Sequence, residues 1–172
     1  VRDFCPSVAA AVLSFHKTVR QKFLPSALKF TYQFTLKDLT AVFEGICRAK
    51  PSTVKTSIAL GRLFVHECLR VYSDRLLTPT EIIRSQSILV DVAKQHLTDS
   101  GESSDAFFVE PNHWTAFERN DDHFQQGGWN NYAPVASIDA LKRLISDQLV
   151  EYNQSNPIMN LVLFTEATEH VV

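Results

Sequence analysis

The sequence predicts a mainly α fold of five or six helices with a minor short β element, and three observations carry that expectation. Apolar residues recur at steps of three and four along most of the 172 residues, the spacing that gathers them on one helical face. Helix-start residues stand at Thr35, Thr78 and Ser137. Strict alternation of apolar and polar residues is confined to one short run.

The elements follow in order. From about Val8 to Phe23 the stripe is Val8, Val12, Phe15, Val19 and Phe23, with Lys17 and Arg20 away from it. Pro25 halts this helix. Leu28, Phe30, Tyr32 and Phe34 then alternate with Lys29, Thr31 and Gln33, the period of an extended strand with one buried face. Thr35 and Asp38 have N-cap spacing, a hydroxyl for an orphan N–H and an acid in the positive first turn. The helix they open is expected to reach about Ala49 and to bury Leu36, Leu39, Val42, Phe43 and Ile46.

Thr53 to Leu77 reads as the longest helix, with Leu60, Leu63, Phe64, Cys68, Val71 and Tyr72 on an apolar face and Arg62, His66, Arg70 and Ser73 opposite. Glu67 to Arg70 and Arg70 to Asp74 are ion-pair spacings on it. Thr78-Pro79-Thr80-Glu81 is a strong start signal: threonine and glutamate form a capping box, and proline sits where its missing N–H costs nothing. That helix runs to about Leu97. Between Thr98 and Pro134 the periodicity collapses into an irregular excursion, with a short strand expected at Phe107-Phe108-Val109. Ser137 caps a helix from Ile138 to about Tyr152, through Leu141, Ile145 and Leu149. After the Asn156-Pro157 break, Asn160 to Phe164 leads into a short last helix.

Composition bounds the function classes. A chain of this length buries roughly 70% of its unfolded surface, so a core forms without metals or disulfides. The formal charge of −2 argues against a nucleic-acid surface built on counterion release. Cys5, Cys47 and Cys68 fit neither a disulfide framework nor paired zinc spacing, and a reducing compartment is the simplest reading. No apolar run approaches the roughly 20 residues of a membrane span. Starting at Val1 and stopping inside an amphipathic segment, the sequence reads as a piece of a larger protein.

Candidate chemistry is sparse. His66-Glu67-Cys68-Leu69-Arg70 has the beginning of a zinc-protease helix, but arginine stands where the second histidine is needed and cannot release its proton to bind metal. A phosphate-cradling loop is missing, since Gly45, Gly61, Gly101 and Gly127-Gly128 are in no such arrangement. Asp121-Asp122-His123 with Asp105 and Glu110 matches no calcium loop, and solvated acids are the better reading. Trp114 and Trp129 read as packing anchors of the irregular region. Lys37 is more informative: it lies just inside a capped helix start, where its ammonium and the N-terminal N–H groups could address one anion. On spacing alone, a solvated lysine is still the better reading.

A resemblance adds to this. Lys22 to Leu39 (KFLPSALKFTYQFTLKDL), with Phe43-Glu44-Gly45 after it, closely resembles a segment of dynein heavy chains. His66 to Leu76 (HECLRVYSDRL) is similar to a second segment, and Tyr152-Asn153 through Asn160 to Phe164 (NLVLF) and on to Glu169-His170-Val171 is similar to a third. The three motifs keep the family's order and cover most of the chain. The wording looks more like axonemal than cytoplasmic heavy chains.

The resemblance implies an AAA+ C-terminal helical lid subdomain, that of the third module of the motor ring, over residues 1–153, with an irregular insertion at about 98–134 that looks longer than the family's usual connection. Residues 154–172 are then a linker and first helix leading into the next AAA+ module. It implies a non-catalytic fragment that helps close its module's nucleotide site and transmits ATP-driven change around the ring, within a parent that hydrolyses ATP and moves on microtubules. Lys37 takes the place of the arginine used as a second nucleotide sensor, keeping the charge but losing the planar fork. Leu161 and Val162 match the adenine side of the following module's site, while His66, Glu67, Arg70 and Arg75 read as polar lid and interface structure. No metal or cofactor is implied in the fragment; ATP or ADP with Mg belongs to the intact ring. The implied partners are neighbouring modules of the same heavy chain, and for the parent microtubules and dynein accessory chains, with no nucleic acid and no membrane. The implied location is cytoskeletal, in the axoneme of a cilium or flagellum. The alternative from another class is a free-standing helical adaptor domain with no nucleotide role.

Overall fold

The longest apolar stripes of the sequence become four helices that enclose one core: α1 (Cys5–Lys22), α2 (Leu36–Arg48), α3 (Ser57–Tyr72) and α4 (Pro79–Leu97). The computed structural model describes residues 4–97, 104–116 and 132–171. It divides into two units, Val1–Val109 and Glu110–Val172.

In the first unit α1 lies along α4, and α3 packs against α1, α2 and α4 in turn. A helix with neighbours on so many sides has no fully solvated face. That is why α3 buries His66, Glu67 and, at its end, Ser73, along with Leu60, Leu63, Phe64, Cys68 and Tyr72. The expected polar face of Arg62, His66, Arg70 and Ser73 is therefore corrected: His66 and Ser73 are interior, and Ser73 Oγ meets Ser85 Oγ of α4 at 3.0 Å. The core's aromatic centre is Tyr72, edge-on to Phe15 with ring centroids 5.3 Å apart and 5.5 Å from Phe34. Its hydroxyl lies 2.7 Å from His16 Nδ1. Burial, and then the nearby Arg20 charge, keep the His16 imidazole below its ordinary pKa, so the pair sits in the core uncharged.

Caps set the boundaries. Thr35 Oγ1 accepts from Lys37 N and Asp38 Oδ2 accepts from Thr35 N at 2.6 Å, closing a reciprocal capping box at the start of α2. α3 begins at Ser57, later than the expected Thr53, because Pro51 to Val54 form a turn onto Lys50 and Thr56 supplies the cap, accepting from Ala59 N at 3.1 Å. It ends at Tyr72 and tightens into a 3₁₀ turn, Ser73–Arg75. Leu36, expected inside, is 70% exposed, while Asp38 of the same turn is the residue that faces inward.

The strand expected at Leu28 to Phe34 does not form. Ser26 and Lys29 exchange backbone hydrogen bonds and Tyr32 N donates to Lys29 O, so the segment spends its backbone groups on local turns instead of a neighbouring strand. Alternation survives only at its end: Tyr32 and Phe34 are buried, while Leu28 and Phe30 are 86% and 72% exposed. A second correction falls at Phe107-Phe108-Val109, where a 3₁₀ helix, Ser104–Phe108, replaces the expected strand. It inserts the fully buried Phe107 ring against Gly61 of α3, where an added Cβ would lie 2.5 Å from the ring.

The segment from 24 to 35 is tied to α4 through one carboxylate. Glu81 accepts from Lys29 Nζ at 2.6 Å, Tyr32 OH at 2.7 Å and Thr78 Oγ1 at 2.8 Å, and Tyr32 OH in turn accepts from Leu77 N at 2.9 Å. The Lys29 bond first, then those from Tyr32 and Thr78, bring the Glu81 pKa down from 4.5 to about 2. The unfolded chain then takes up the proton first as pH falls. The carboxylate's contribution is complete above pH 4.5 and vanishes as pH drops through about 2. Glu81→Gln is expected to unfold at a lower temperature than the parent at pH 6, with the gap narrowing steadily as the pH is lowered from 4.5 towards 2. A gap in thermal midpoint that stays constant over that interval would contradict this assignment.

The second unit pairs β1 (Trp114–Thr115) antiparallel with β2 (Ala133–Pro134) and follows them with α5 (Ile138–Ser155) and α6 (Thr165–His170). Trp114 is buried, with Nε1 donating to Asn112 Oδ1 at 3.3 Å and its ring 6.0 Å from Tyr132. Ser137 caps α5 as expected, accepting from Ala140 N, and Val135, Leu141 and Ile145 form a small core with Leu163 against it. Where α5 ends, the Asn153 side chain accepts from Met159 N at 2.8 Å and donates to Met159 O at 3.0 Å, taking the place of a neighbouring strand for the extended residues that follow. Trp129, Asp121, Asp122 and His123 lie outside the described residues.

Candidate functional site

The start of α2 faces a shallow depression of about 500 Å³ lined by Lys37, Asp38, Ala41, Arg70, Val71, Asp74 and Arg75. Three cations and two carboxylates meet there. Arg70 pairs with Asp74 at 3.1 Å one turn along, and Arg75 Nη2 donates to Asp38 Oδ1 at 2.5 Å. Among the described residues the Lys37 ammonium has no ion-pair partner, so one positive charge is left for the solvent side. Burial opposes ionisation of Asp38, but the Arg75 guanidinium and the Thr35 N–H outweigh it and hold the carboxyl below its ordinary range.

The backbone amides at this helix start are already engaged by the capping box. An approaching anion would therefore be met by the lysine side chain more than by the helix terminus. Arg75 is fixed on three sides: by Asp38, by Gln33 O at 3.4 Å, and by the Phe34 ring, whose centroid is 5.4 Å from the guanidinium carbon.

Of the residues singled out by sequence, the fold brings Lys37, Arg70 and Arg75 to one depression. His66 and Glu67 are placed in the interior, with the Glu67 carboxylate lying where a side chain on Gly45 would have to go. Leu161 and Val162, 50% and 82% exposed, lie on the extended segment of the second unit. Leu161 there closes a groove of about 430 Å³ with Ile145, Leu149 and Tyr152 of α5. Asp38 is the site residue whose wider role was missed: its spacing from Thr35 announces a cap, and nothing local announces Arg75.

The AAA+ lid domain family matches residues 8–106, and the chain belongs to that family. Its relatives are dynein heavy chains. It is 37% identical over 172 residues to the ciliary dynein beta chain of Tripneustes gratilla, covering 99% of this chain. It is 36% identical over 165 residues, 95% of the chain, to dynein axonemal heavy chain 17 of Mus musculus. Over 169 residues, 94% of the chain, it is 34% identical to the flagellar outer arm dynein beta chain of Chlamydomonas reinhardtii. The chain spans about 4% of the length of each of these relatives. Among the described residues, no helix is long and apolar enough to cross a membrane.

Proposed function

We propose that this chain is the lid of a nucleotide-binding module, the third, in an axonemal dynein heavy chain, and that it closes that module's site and relays its changes around the motor ring. Residues 1–153 form the lid and 154–172 lead into the following module, with Leu161 and Val162 on the adenine side of the next site. The parent is a microtubule motor of the cilium or flagellum that hydrolyses ATP, with neighbouring modules of the same chain as the lid's immediate partners. The observation that carries this reading is the Lys37 ammonium, without an ion pair among the described residues, on the first turn of a helix opened by a reciprocal capping box in an AAA+ lid.

ATP with Mg, when bound, supplies the phosphoanhydride bond that is cleaved. The residues of this chain fit only one side of it: Lys37 is a single cation for a terminal phosphate, and the sequence holds no phosphate-cradling loop. What the chain does is orient that cation and transmit its displacement. The packing of α3 against α1, α2 and α4 makes the first unit a block whose helices move together, so a pull on the start of α2 is passed to its other faces.

Lys37→Ala in the intact heavy chain is expected to weaken ATP retention by the third module about tenfold or more, the scale of one hydrogen bond to a charged group. Nucleotide dissociation measured with a fluorescent ATP analogue checks this. Unchanged retention together with unchanged motility would make Lys37 an ordinary solvated lysine.

A further inference from the structure

Arg75 makes more contacts than a surface ion pair requires, and all of them converge on the short stretch that carries Lys37. Its guanidinium holds Asp38 on one side of Lys37 and Gln33 O and the Phe34 ring on the other. Asp38 is itself half of the capping box: its second oxygen accepts from Thr35 N at 2.6 Å and Thr35 Oγ1 at 3.2 Å. Arg75 ends the 3₁₀ turn that follows α3, two residues after the buried Ser73, so its own backbone is anchored close to the core. The chain from Gln33 to Asp38 is thereby pinned to the end of the central helix.

Charge adds a second effect. Asp38 is the immediate neighbour of Lys37, and an uncompensated carboxylate there would repel the anion that Lys37 attracts. Adjacent helix positions do not face each other, so Lys37 cannot neutralise Asp38 itself. Arg75 does so from another element. Arg70 cannot replace it, being paired with Asp74 at 3.1 Å.

We propose that Arg75 is a positioning residue for Lys37: it fixes the α2 start through Asp38, Gln33 and Phe34 and cancels the Asp38 charge, so that one net positive charge faces the nucleotide phosphate. This rests on the reading of Lys37 as the phosphate-facing cation. Lysine at 75 would keep the charge but lose the planar fork that reaches Asp38 and the Gln33 carbonyl together.

The test compares Lys37→Ala, Arg75→Ala, Arg75→Lys and the double alanine variant in the intact heavy chain, reading ATP retention by fluorescent-analogue dissociation. Hydrogen exchange at the Thr35 amide is read on this chain. Arg75→Ala is expected to lose about tenfold in retention, on the scale of a charge-assisted contact. The double variant should lose more than Lys37→Ala alone, through the bare Asp38 charge, but less than the two single losses combined, because the positioning part of each acts through one ammonium. Arg75→Lys should restore part of the retention and leave Thr35 exchange faster than in the parent. If Arg75→Ala does not fold, Arg75→Lys carries the test, through its Thr35 exchange and its retention in the presence and absence of Lys37. Losses that simply add, or full retention in a folded Arg75→Lys or Arg75→Ala chain alongside a defective Lys37→Ala, overturn the role of Arg75 and leave Lys37 standing. Full retention by Lys37→Ala overturns both.

Discussion

Tyr72→Ala is expected to cost the first unit about 3–5 kcal/mol, the range for deleting a fully buried aromatic ring. Tyr72 is wholly inaccessible, and its ring meets Phe15 edge-on and Phe34 at a tilt, contacts that bring α1 and the segment before α2 onto the end of α3. Its hydroxyl is the partner of His16 Nδ1, and burial raises the phenol's pKa, so the hydroxyl keeps its proton at neutral pH. Truncation therefore removes packing and also leaves a polar nitrogen in the core. Tyr72→Phe separates the two: it keeps the ring and should cost only about 1–3 kcal/mol, the penalty of a buried group left without its bond. Urea unfolding followed by circular dichroism measures both, with an unchanged denaturant slope as the sign that compactness is preserved. Equal losses for the two variants would mean that the hydrogen bond, and not the aromatic packing, holds this junction.

Gly61→Leu is expected to destabilise the same unit by up to about 2 kcal/mol, and two opposing magnitudes decide the sign. In a helix interior, glycine is about 0.8–1 kcal/mol worse than alanine, and leucine is close to alanine, so helix propensity alone favours the change. Against it stands overpacking, about 1–3 kcal/mol and sometimes more where the surroundings cannot yield. The first added carbon would already be 2.5 Å from the Phe107 ring, which is fully buried. Phe107→Ala opens that space, so adding it to Gly61→Leu should cost far less than Phe107→Ala does alone, a coupling that a double-mutant cycle reads directly. A Gly61→Leu chain more stable than the parent would show that the 3₁₀ helix moves aside freely.

These two sites also show where local reading of the sequence succeeds and where it stops. Thr78 with Glu81, and Ser137, announce α4 and α5 because a cap is a short-range device, complete within four residues. The same holds for Thr35 and Asp38, so the position of Lys37 at a helix start was legible without any tertiary information. The orientation of α3 was not. Helical periodicity assumes one wet face, and a helix packed against three others hides His66, Glu67 and Ser73 that polarity alone would place outside. The run from Leu28 to Phe34 misleads for a related reason: alternation identifies a strand only if another strand is at hand, and here turns and the Glu81 carboxylate take up the backbone and side-chain groups. In the candidate site, Arg75 and Asp38 are 37 residues apart, and no periodicity links them. The family resemblance named the position of Lys37, but the grip around it emerges only from the packed structure.

The knot at Glu81 decides which conditions threaten the segment from 24 to 35. Leu28 and Phe30 point outward, so beyond the buried Tyr32 and Phe34 rings the attachment rests on a half-exposed lysine and a phenol binding one carboxylate. Cooling weakens apolar burial, yet it leaves such a polar fastening largely intact, whereas concentrated electrolyte screens it within a few ångströms. The polar part of this attachment is thus cold-tolerant and brine-sensitive, the opposite of the helical core beneath it.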